Sequence, residues 1–201
     1  MPTTATVRSS DRRQRVLDAA STVFRRHGYA RASMDAIAKE AGLSRPLLYL
    51  VFHSKEEAFA AAVEQMGDVA LAELRKGLQG QKGVSARLAY VCLRWAARGY
   101  ERSKENPDAR DLTDPALPPV QRVYERFEEL LAEIMTDARA ELARSPQVLE
   151  RAHMLCLALQ GFKGGARSER DLERLVKLQI ELVAGAPFAV SKSTQRARGR
   201  S

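Results

Sequence analysis

The stretch "AGLSRPLLYLVFHSKEE", residues 41–57, decides the fold expected for this chain. Gly42 predicts a break between two helices. Ser44 is a typical N-cap residue, and Pro46 suits the first turn of a helix, where its missing N–H costs nothing. Two short helices joined by a glycine-containing turn form a helix-turn-helix.

The residues before this stretch complete a three-helix unit. Ser10 or Asp11 is the expected start of a first helix that ends at Gly28, and Ser33 is the expected cap of the second. Three short helices stabilise one another only through a shared core, so their apolar residues must face inward. The inward-facing residues are predicted to be Ile37, Ala38, Leu43, Leu48 and Phe52. Ser54 and Glu57 have the spacing of a capping box, which predicts a fourth helix.

The other side of the third helix is then left exposed, and its residues suit DNA. Arg45 is expected to bind guanine O6 and N7, and the two bordering leucines to pack on thymine methyl groups. Hydroxyl groups, Lys55 and helix N-termini suit phosphates. The predicted DNA-binding residues are Ser33, Ser44, Arg45, Pro46, Leu47, Tyr49, Leu50, His53 and Lys55. The alternative is a compact three-helix unit without a ligand.

The charge distribution favours a polyanionic partner for this head. Residues 1–55 hold 10 Lys and Arg against 4 Asp and Glu, a net charge of +6. Residues 56–189 carry −2, and residues 190–201 carry +4. A basic head on a near-neutral body indicates contact with a nucleic acid. Ordinary solvated lysines and arginines remain the alternative explanation.

Residues 16–59, "VLDAASTVFRRHGYARASMDAIAKEAGLSRPLLYLVFHSKEEAF", resemble the DNA-binding domain of the tetracycline-repressor (TetR) family of bacterial regulators. The resemblance is detailed over residues 10–70. It rests on Ala20, Phe24, Gly28-Tyr29, Ile37-Ala38, Ala41-Gly42, Ser44, Leu48-Tyr49, Phe52 and Ser54-Lys55-Glu56-Glu57. It implies a homodimer whose C-terminal domain binds a small ligand and whose last two long helices pair across the dimer.

Three apolar residues of the third helix region depart from that family pattern. Leu47 stands where a smaller residue is common, and Leu50 and Val51 stand where polar or aromatic residues are frequent. Fewer base-edge hydrogen bonds are then available, so apolar contacts and DNA shape are expected to carry more of the specificity.

Helical periodicity without strand alternation predicts an all-α fold. We expect an N-terminal three-helix helix-turn-helix DNA-binding domain plus a larger C-terminal helical ligand-binding and dimerisation domain. The predicted boundaries are a disordered arm over 1–9, the DNA-binding domain over 10–70 with its motif at 33–52, the C-terminal domain over 71–189, and a basic disordered tail over 190–201. The stretch "GFKGGAR", residues 161–167, is expected to break the helical pattern.

Large side chains of the C-terminal domain are candidates for an effector pocket, or equally for the core. They are Tyr90, Trp95, Tyr100, Tyr124, Phe127, Met135, Met154 and Phe162, and they suit an apolar or aromatic effector of unknown identity. Arg94 and Arg98 either meet an anionic effector or form a solvated face. Met154, Leu157 and Leu178 lie outside the main core face, so they either pair with a second copy or complete the monomer core.

Catalytic and metal chemistry finds little support, and no cofactor or enzyme activity is expected. His153 and Cys156 are three residues apart, but nothing nearby completes a metal-ligand set. The glycine-rich stretch lacks the ending of a phosphate-binding loop. Cys92 and Cys156 are expected to be buried free thiols. No apolar run is long enough for a membrane span, and the N-terminus has no signal-peptide pattern, so we expect a cytoplasmic protein without a membrane partner.

Together these features predict a sequence-specific DNA-binding transcriptional regulator. The expected form is a homodimeric repressor on a palindromic operator in double-stranded DNA, released by a small-molecule effector. An activator and an effector-independent regulator remain open. So does a helical ligand-binding protein or enzyme that retains the three-helix head.

Overall fold

The computed structural model describes residues 4–137 and 143–185, and within these ranges the chain forms helices and turns without a β-strand. The α-helices are α1 (Thr4–Arg31), α2 (Met34–Ala41), α3 (Arg45–Tyr49), α4 (Lys55–Gly77), α5 (Val84–Glu105), α6 (Pro118–Met135), α7 (Pro146–Gly165) and α8 (Glu169–Gly185). Short 3-10 helices cover Leu78–Gly80 and Pro107–Thr113. The predicted all-α fold is confirmed. The predicted tail at 190–201 lies outside the described residues.

Helix α1 differs from its predicted bounds at both ends. It begins at Thr4 instead of Ser10 or Asp11, so the prediction of a disordered arm is wrong for residues 4–9. No glycine or proline follows Pro2 in this segment, so nothing in the sequence stops the helix from extending. Gly28 kinks the helix, with φ 69° and ψ 174°, but helical structure resumes and continues to Arg31.

Helices α1 to α3 and the first turns of α4 build the head around the predicted apolar core, and the rest of α4 runs into the body. Ile37, Leu48 and Phe52 are fully buried, and Phe24 of α1 packs edge-on against Phe59 of α4 with ring centroids 5.1 Å apart. Burying a Leu, Ile or Phe side chain of this size contributes about 1.5–3 kcal/mol to folding. Leu43 is half-buried against this core. The predicted inward face of the helix-turn-helix is therefore confirmed.

The helix starts follow the predicted caps, with one change. The Ser33 hydroxyl accepts the Ala36 N–H at 3.2 Å, and the Ser54 hydroxyl accepts the Glu57 N–H at 3.1 Å. The Glu57 carboxylate accepts the His53 N–H at 2.7 Å, so the reciprocal bond of the capping box shifts by one residue. Ser44 has the extended N-cap backbone, but its hydroxyl makes no capping hydrogen bond.

Helix α5 is the centre of the body and packs against α6, α7, α8 and the 107–113 segment. Both cysteines are free and buried in this core, and burial raises the pKa of each thiol, that of Cys156 to about 12. The predicted break at 161–167 is wrong at its start, because α7 continues through Gly161 and ends only at Gly165. Glycine weakens a helix by only about 1 kcal/mol, which packing readily overrides. None of the helices in the described ranges is long and apolar enough to cross a membrane.

Candidate functional site

The α3 face carries the predicted DNA-binding side chains. Arg45, Pro46, Leu47 and Leu50 are exposed, Leu50 by 72%, whereas Leu48 between them is fully buried. Of the other predicted residues, Ser33, Ser44 and His53 are exposed, and Tyr49 and Lys55 are half-buried. One side of α3 therefore anchors it to the head, and the opposite side is free for a partner.

Arg45 is held in place by a neighbour on each side. Its guanidinium pairs with the Asp35 carboxylate at 3.0 Å and lies 5.6 Å from the Tyr49 ring centroid. An exposed ion pair of this kind contributes little to stability, because solvent screens the two charges. Asp35 therefore orients Arg45 without preventing the guanidinium from exchanging the carboxylate for a base edge.

Lys55 and His53 already have partners within the head. The Lys55 ammonium donates to the Tyr29 carbonyl at 3.0 Å and lies 4.4 Å from the Tyr29 ring centroid. Because an ammonium group has three N–H donors, Lys55 can keep this bond and still reach a phosphate. His53 Nδ1 lies 3.1 Å from a Glu57 carboxylate oxygen, which offsets its charge whenever the ring is protonated.

A segment of the body, the connecting segment (residues 106–113), is bonded to the end of α1. The Asn106 amide donates to the carbonyls of Arg25 and Arg26 at 2.7 Å each. The Asp111 carboxylate accepts the N–H groups of Tyr29 and Ala30 at 2.5 and 3.2 Å. These bonds satisfy backbone groups that the kink at Gly28 releases from the helical ladder. The connecting segment therefore joins head and body.

A second candidate site is a cavity in the body, the inner cavity, between α4, α5, α6 and α7. Its apolar wall includes Met66, Trp95, Val120 and Val123. Its polar side chains are those of Arg98, Arg102, Thr113, Tyr124 and Lys163. The space between these side chains is about 550 Å³, and part of it is open to solvent.

A more open and more polar groove, the outer groove, adjoins the inner cavity. Gly99, Thr113 and Lys163 belong to the lining of both. Lys104, Arg110 and Gln160 contribute polar side chains to the outer groove alone. Lys163 therefore stands between the two spaces.

The large side chains predicted for an effector pocket divide among several environments. Trp95 and Tyr124 line the inner cavity, and Tyr100 lines the outer groove. Tyr90 and Arg94 line a surface groove that Trp95 also borders. The remaining four lie outside these spaces: Phe127 and Met135 are buried in the core, Phe162 is half-buried, and Met154 is exposed. Phe127 stacks on Trp95 with centroids 4.2 Å apart, so it supports the cavity wall from behind.

Two cavity cations, Arg102 and Lys163, were not among the predicted site residues. The Lys163 ammonium donates to the Tyr124 hydroxyl at 2.8 Å, and that hydroxyl donates to the Thr113 carbonyl at 3.1 Å. Burial lowers the pKa of Lys163 to about 8. The sequence does contain a pattern that places Arg102 near the cavity. Residues 95, 99 and 102 are four and three positions apart, so Trp95, Gly99 and Arg102 lie on one face of α5. Lys163 lies in the stretch 161–167, which the sequence predicts to be a break between helices.

A row of exposed apolar side chains covers α7 and α8. Met154 and Leu157 are about half exposed, by 50% and 51%. The complete set is Leu149, Met154, Leu157, Leu178 and Leu182. Met154, Leu157 and Leu178 thus do not complete the core of the single chain. An apolar surface of this kind is typical of a contact with another protein.

Metal binding gains no support from the structure. His153 Nδ1 lies 2.9 Å from a Glu128 carboxylate oxygen. In the described ranges, no cluster of three His, Cys, Asp or Glu side chains could hold an ion.

A basic helix-turn-helix head on a helical body defines a DNA-binding transcriptional regulator. Residues 16–62 match the family model for bacterial regulatory proteins of the tetR family. The chain is 31% identical over 157 residues to the HTH-type transcriptional activator FasR of Mycolicibacterium smegmatis, covering 74% of this chain and 67% of FasR. The chain therefore belongs to the TetR family of transcriptional regulators, and it is not an enzyme.

Further comparisons agree with this assignment. The HTH-type nicotine-responsive transcriptional repressor HdnoR of Paenarthrobacter nicotinovorans is 26% identical, over 75% of this chain and 81% of HdnoR. The structure of FadR from Bacillus subtilis in complex with stearoyl-CoA superposes with a TM-score of 0.62 at 17% identity, covering 85% and 97% of the two chains, which shows the fold alone. The chain spans 50% of the length of the HTH-type regulator YfiR of Bacillus subtilis, 67% of that of FasR and 81% of that of HdnoR.

Proposed function

We propose that the protein is a homodimeric cytoplasmic repressor that occupies a palindromic operator and is released by a small-molecule effector. The observation that carries the DNA-binding part is the division of α3. Leu48 is fully buried in the head, while Arg45, Leu47 and Leu50 are exposed. A recognition helix needs this division, because it must pack on its own domain and still enter the major groove.

The roles proposed on this face follow from the side chains. Arg45 reads a guanine, and Leu47 and Leu50 contact thymine methyl groups. Ser44 suits a phosphate contact because its hydroxyl makes no capping bond. Ser33, Tyr49, His53 and Lys55 stand around the same helix and are assigned to the DNA backbone, with Pro46 shaping the helix start.

The proposed dimer rests on the apolar surface of α7 and α8. One helix-turn-helix makes few base contacts, whereas two heads about 34–36 Å apart reach successive major grooves. The exposed leucines and Met154 on the last two helices offer a surface that a second copy would bury. A four-helix contact built from α7 and α8 of each protomer fits this surface.

The proposed release rests on the connecting segment. Leu112 and Thr113 line the inner cavity, while Asp111 in the same segment holds the end of α1. A ligand that moves the cavity wall therefore acts on the anchor of the head. A hundredfold release requires the ligand to prefer the unbound conformation by about 2.7 kcal/mol.

The names of the relatives support both directions of regulation, repression in one case and activation in the other. HdnoR is named a repressor that responds to nicotine, and FasR is named an activator. Blocking a promoter requires only occupancy of the operator, so we propose repression. Activation is the alternative.

A DNase I footprint next to the gene of this protein tests the proposal. We expect a protected palindrome, and we expect transcription from that promoter in vitro to fall when the protein is added. A rise in transcription would establish activation instead. Uniform protection of unrelated DNA would rule out specific regulation.

The same footprint, repeated with Arg45→Ala, tests the role of α3. Loss of a bidentate base contact should weaken operator binding by about 1–3 kcal/mol, which is roughly 5- to 160-fold, and should affect binding to non-specific DNA much less. Arg75→Ala is a matched control, because Arg75 is also exposed and paired, with Glu133 at 3.1 Å on the body. Equal operator affinity for Arg45→Ala and Arg75→Ala would remove Arg45 from the interface.

A further inference from the structure

Two cations at the inner cavity have no acidic partner among the residues that the structure describes. Neighbouring arginines of the body are paired, Arg98 with Glu73 and Arg122 with Glu64. Arg102 and Lys163, by contrast, form no ion pair with any described carboxylate, and the Lys163 ammonium donates instead to the neutral Tyr124 hydroxyl. Neither the inner cavity nor the outer groove has an Asp or Glu in its lining.

Glu105 lies close enough to Arg102 to favour its charged form but makes no ion pair with it, and two other nearby carboxylates have partners of their own. Glu128 contacts His153, and the Asp114 carboxylate accepts the Ala116 N–H at 2.9 Å. Two half-buried positive charges without a counterion are unfavourable, because each has lost part of its hydration without gaining an ion pair. An anion bound between them would restore this balance through charge-assisted hydrogen bonds.

The wall beside these cations is apolar, which limits the kind of anion. Met66, Trp95, Val120 and Val123 form this wall, and the Trp95 ring packs edge-on against Tyr124 at 6.0 Å. A small inorganic anion would leave this wall unused.

We propose that the inner cavity binds an amphipathic organic anion, whose carboxylate or phosphate group is held by Lys163 and Arg102 and whose apolar part lies along Trp95 and the adjoining aliphatic wall. Where the head group is larger, it extends into the outer groove toward Lys104 and Arg110. The identification of this ligand as the effector rests on the function proposed above. The binding of the ligand to the protein does not depend on that function.

Gly99 contributes to the position of the ammonium group. The Lys163 side chain crosses α5 at Gly99 so closely that an added Cβ would overlap its Cδ atom. The absence of a side chain at Gly99 therefore lets Lys163 reach from α7 to the boundary between the inner cavity and the outer groove.

The protein has a built-in reporter for this binding. Trp95 is its single tryptophan and lines the cavity. We propose titrating the full chain, without DNA, with decanoate, decyl phosphate, decanol and decylamine below their micelle-forming concentrations, and with inorganic phosphate. Tryptophan fluorescence should report saturable binding of decanoate or decyl phosphate, at least about tenfold tighter than that of decanol or decylamine. The two anions separate a carboxylate site from a phosphate site.

Lys163→Met and Arg102→Gln test the two cations separately. Each should weaken binding of the preferred anion by about tenfold or more while changing decanol binding little. Arg94→Gln is the control, because Arg94 lies on α5 outside the inner cavity, beside Tyr90. Thermal unfolding identifies any variant that fails to fold. If one of the two cation variants fails to fold, anion binding by the other variant tests the proposal.

Several outcomes would overturn the proposal. They are binding of both decanoate and decyl phosphate no tighter than that of decanol, preference for decylamine, equal binding of inorganic phosphate, and unchanged anion binding in both cation variants. Anion binding that leaves the operator footprint unchanged would instead contradict the proposed release and preserve the cavity assignment.

The affinity for the anion should also depend on pH. The protonated Lys163 is the binding form, and its pKa is about 8, so affinity should hold below pH 8 and fall as the pH rises through 8 to about 9. Burial raises the pKa of Tyr124 and Cys156 well above this range. The charged and titratable groups around Lys163 are Arg98, Arg102, Lys104, Arg110, Asp114, Tyr124, Glu128 and Cys156, and α8 contributes no residue to either lining. Fluorescence titrations from pH 6.5 to about 9.5 measure this fall, which Lys163→Met should abolish. An identical profile in that variant would assign the pH effect to another group.

Discussion

Replacing Gly28 with alanine is expected to lower the free energy of unfolding by about 2–3 kcal/mol. Gly28 has φ 69° and ψ 174°, a backbone region that is almost restricted to glycine. A Cβ atom at this position would also overlap the backbone carbonyl oxygen of Asp108. Since that oxygen belongs to the connecting segment, alanine should loosen the contact between head and body as well as strain α1.

Gly42→Ala is the matched control for this prediction. Gly42 also has a positive φ, 64° with ψ 35°, but nothing lies near the position of an added Cβ. Gly42→Ala should lower the free energy of unfolding by about 1 kcal/mol, the usual cost of placing alanine in the left-handed backbone region. Urea unfolding of the two variants compares the costs directly. If Gly28→Ala is no less stable than Gly42→Ala, the close contact with Asp108 is unimportant for stability.

A double substitution on α7, Met154→Asp with Leu157→Asp, is expected to have the largest effect on function. Both side chains are about half exposed and belong to the surface proposed for the dimer. Two charges buried against a second copy should prevent association. Because a linked pair of heads gains about 10²–10⁴-fold in apparent affinity over a single head, operator binding should fall by at least about a hundredfold. Light scattering after gel filtration measures the mass, and gel-shift titration measures the affinity.

Val69→Asp controls for the added charge. Val69 lies on α4 and is 53% exposed, so the same substitution there should leave both the mass and the operator affinity unchanged. If the double variant keeps the mass of a dimer, the subunits meet elsewhere. If it becomes a monomer that still binds the operator with full affinity, the avidity argument is wrong.

The head could be predicted from the sequence because its signals are local. Leu48 and Phe52 are four residues apart on one helix, and Ser33 and Ser54 stand directly before the helices they cap. The contact between Gly28 and the connecting segment could not be predicted in this way. It joins Tyr29 to Asp111 across 82 positions, and no periodicity relates residues at that separation.

The cavity was predictable only in part, because spacing alone does not tell which buried face meets an empty space. Trp95 and Phe127 are aromatic residues on neighbouring helices, and they stack on each other. Only Trp95 borders the inner cavity. Lys163 was missed because three glycines nearby indicated a break, whereas tertiary packing keeps α7 helical there. Whether a side chain lines a pocket depends on several helices at once.

The burial of both cysteines makes the separation of the two heads accessible to direct measurement. Cys92 and Cys156 are buried, and their thiols stay protonated at neutral pH. Reagents that attack thiolates should therefore not react with them. A single cysteine introduced on the outside of α1 would then carry the only nitroxide of each protomer. In the proposed two-fold assembly, pulsed electron paramagnetic resonance would measure one distance between the two nitroxides. A change in that distance on adding operator or ligand would report how far the two heads move apart.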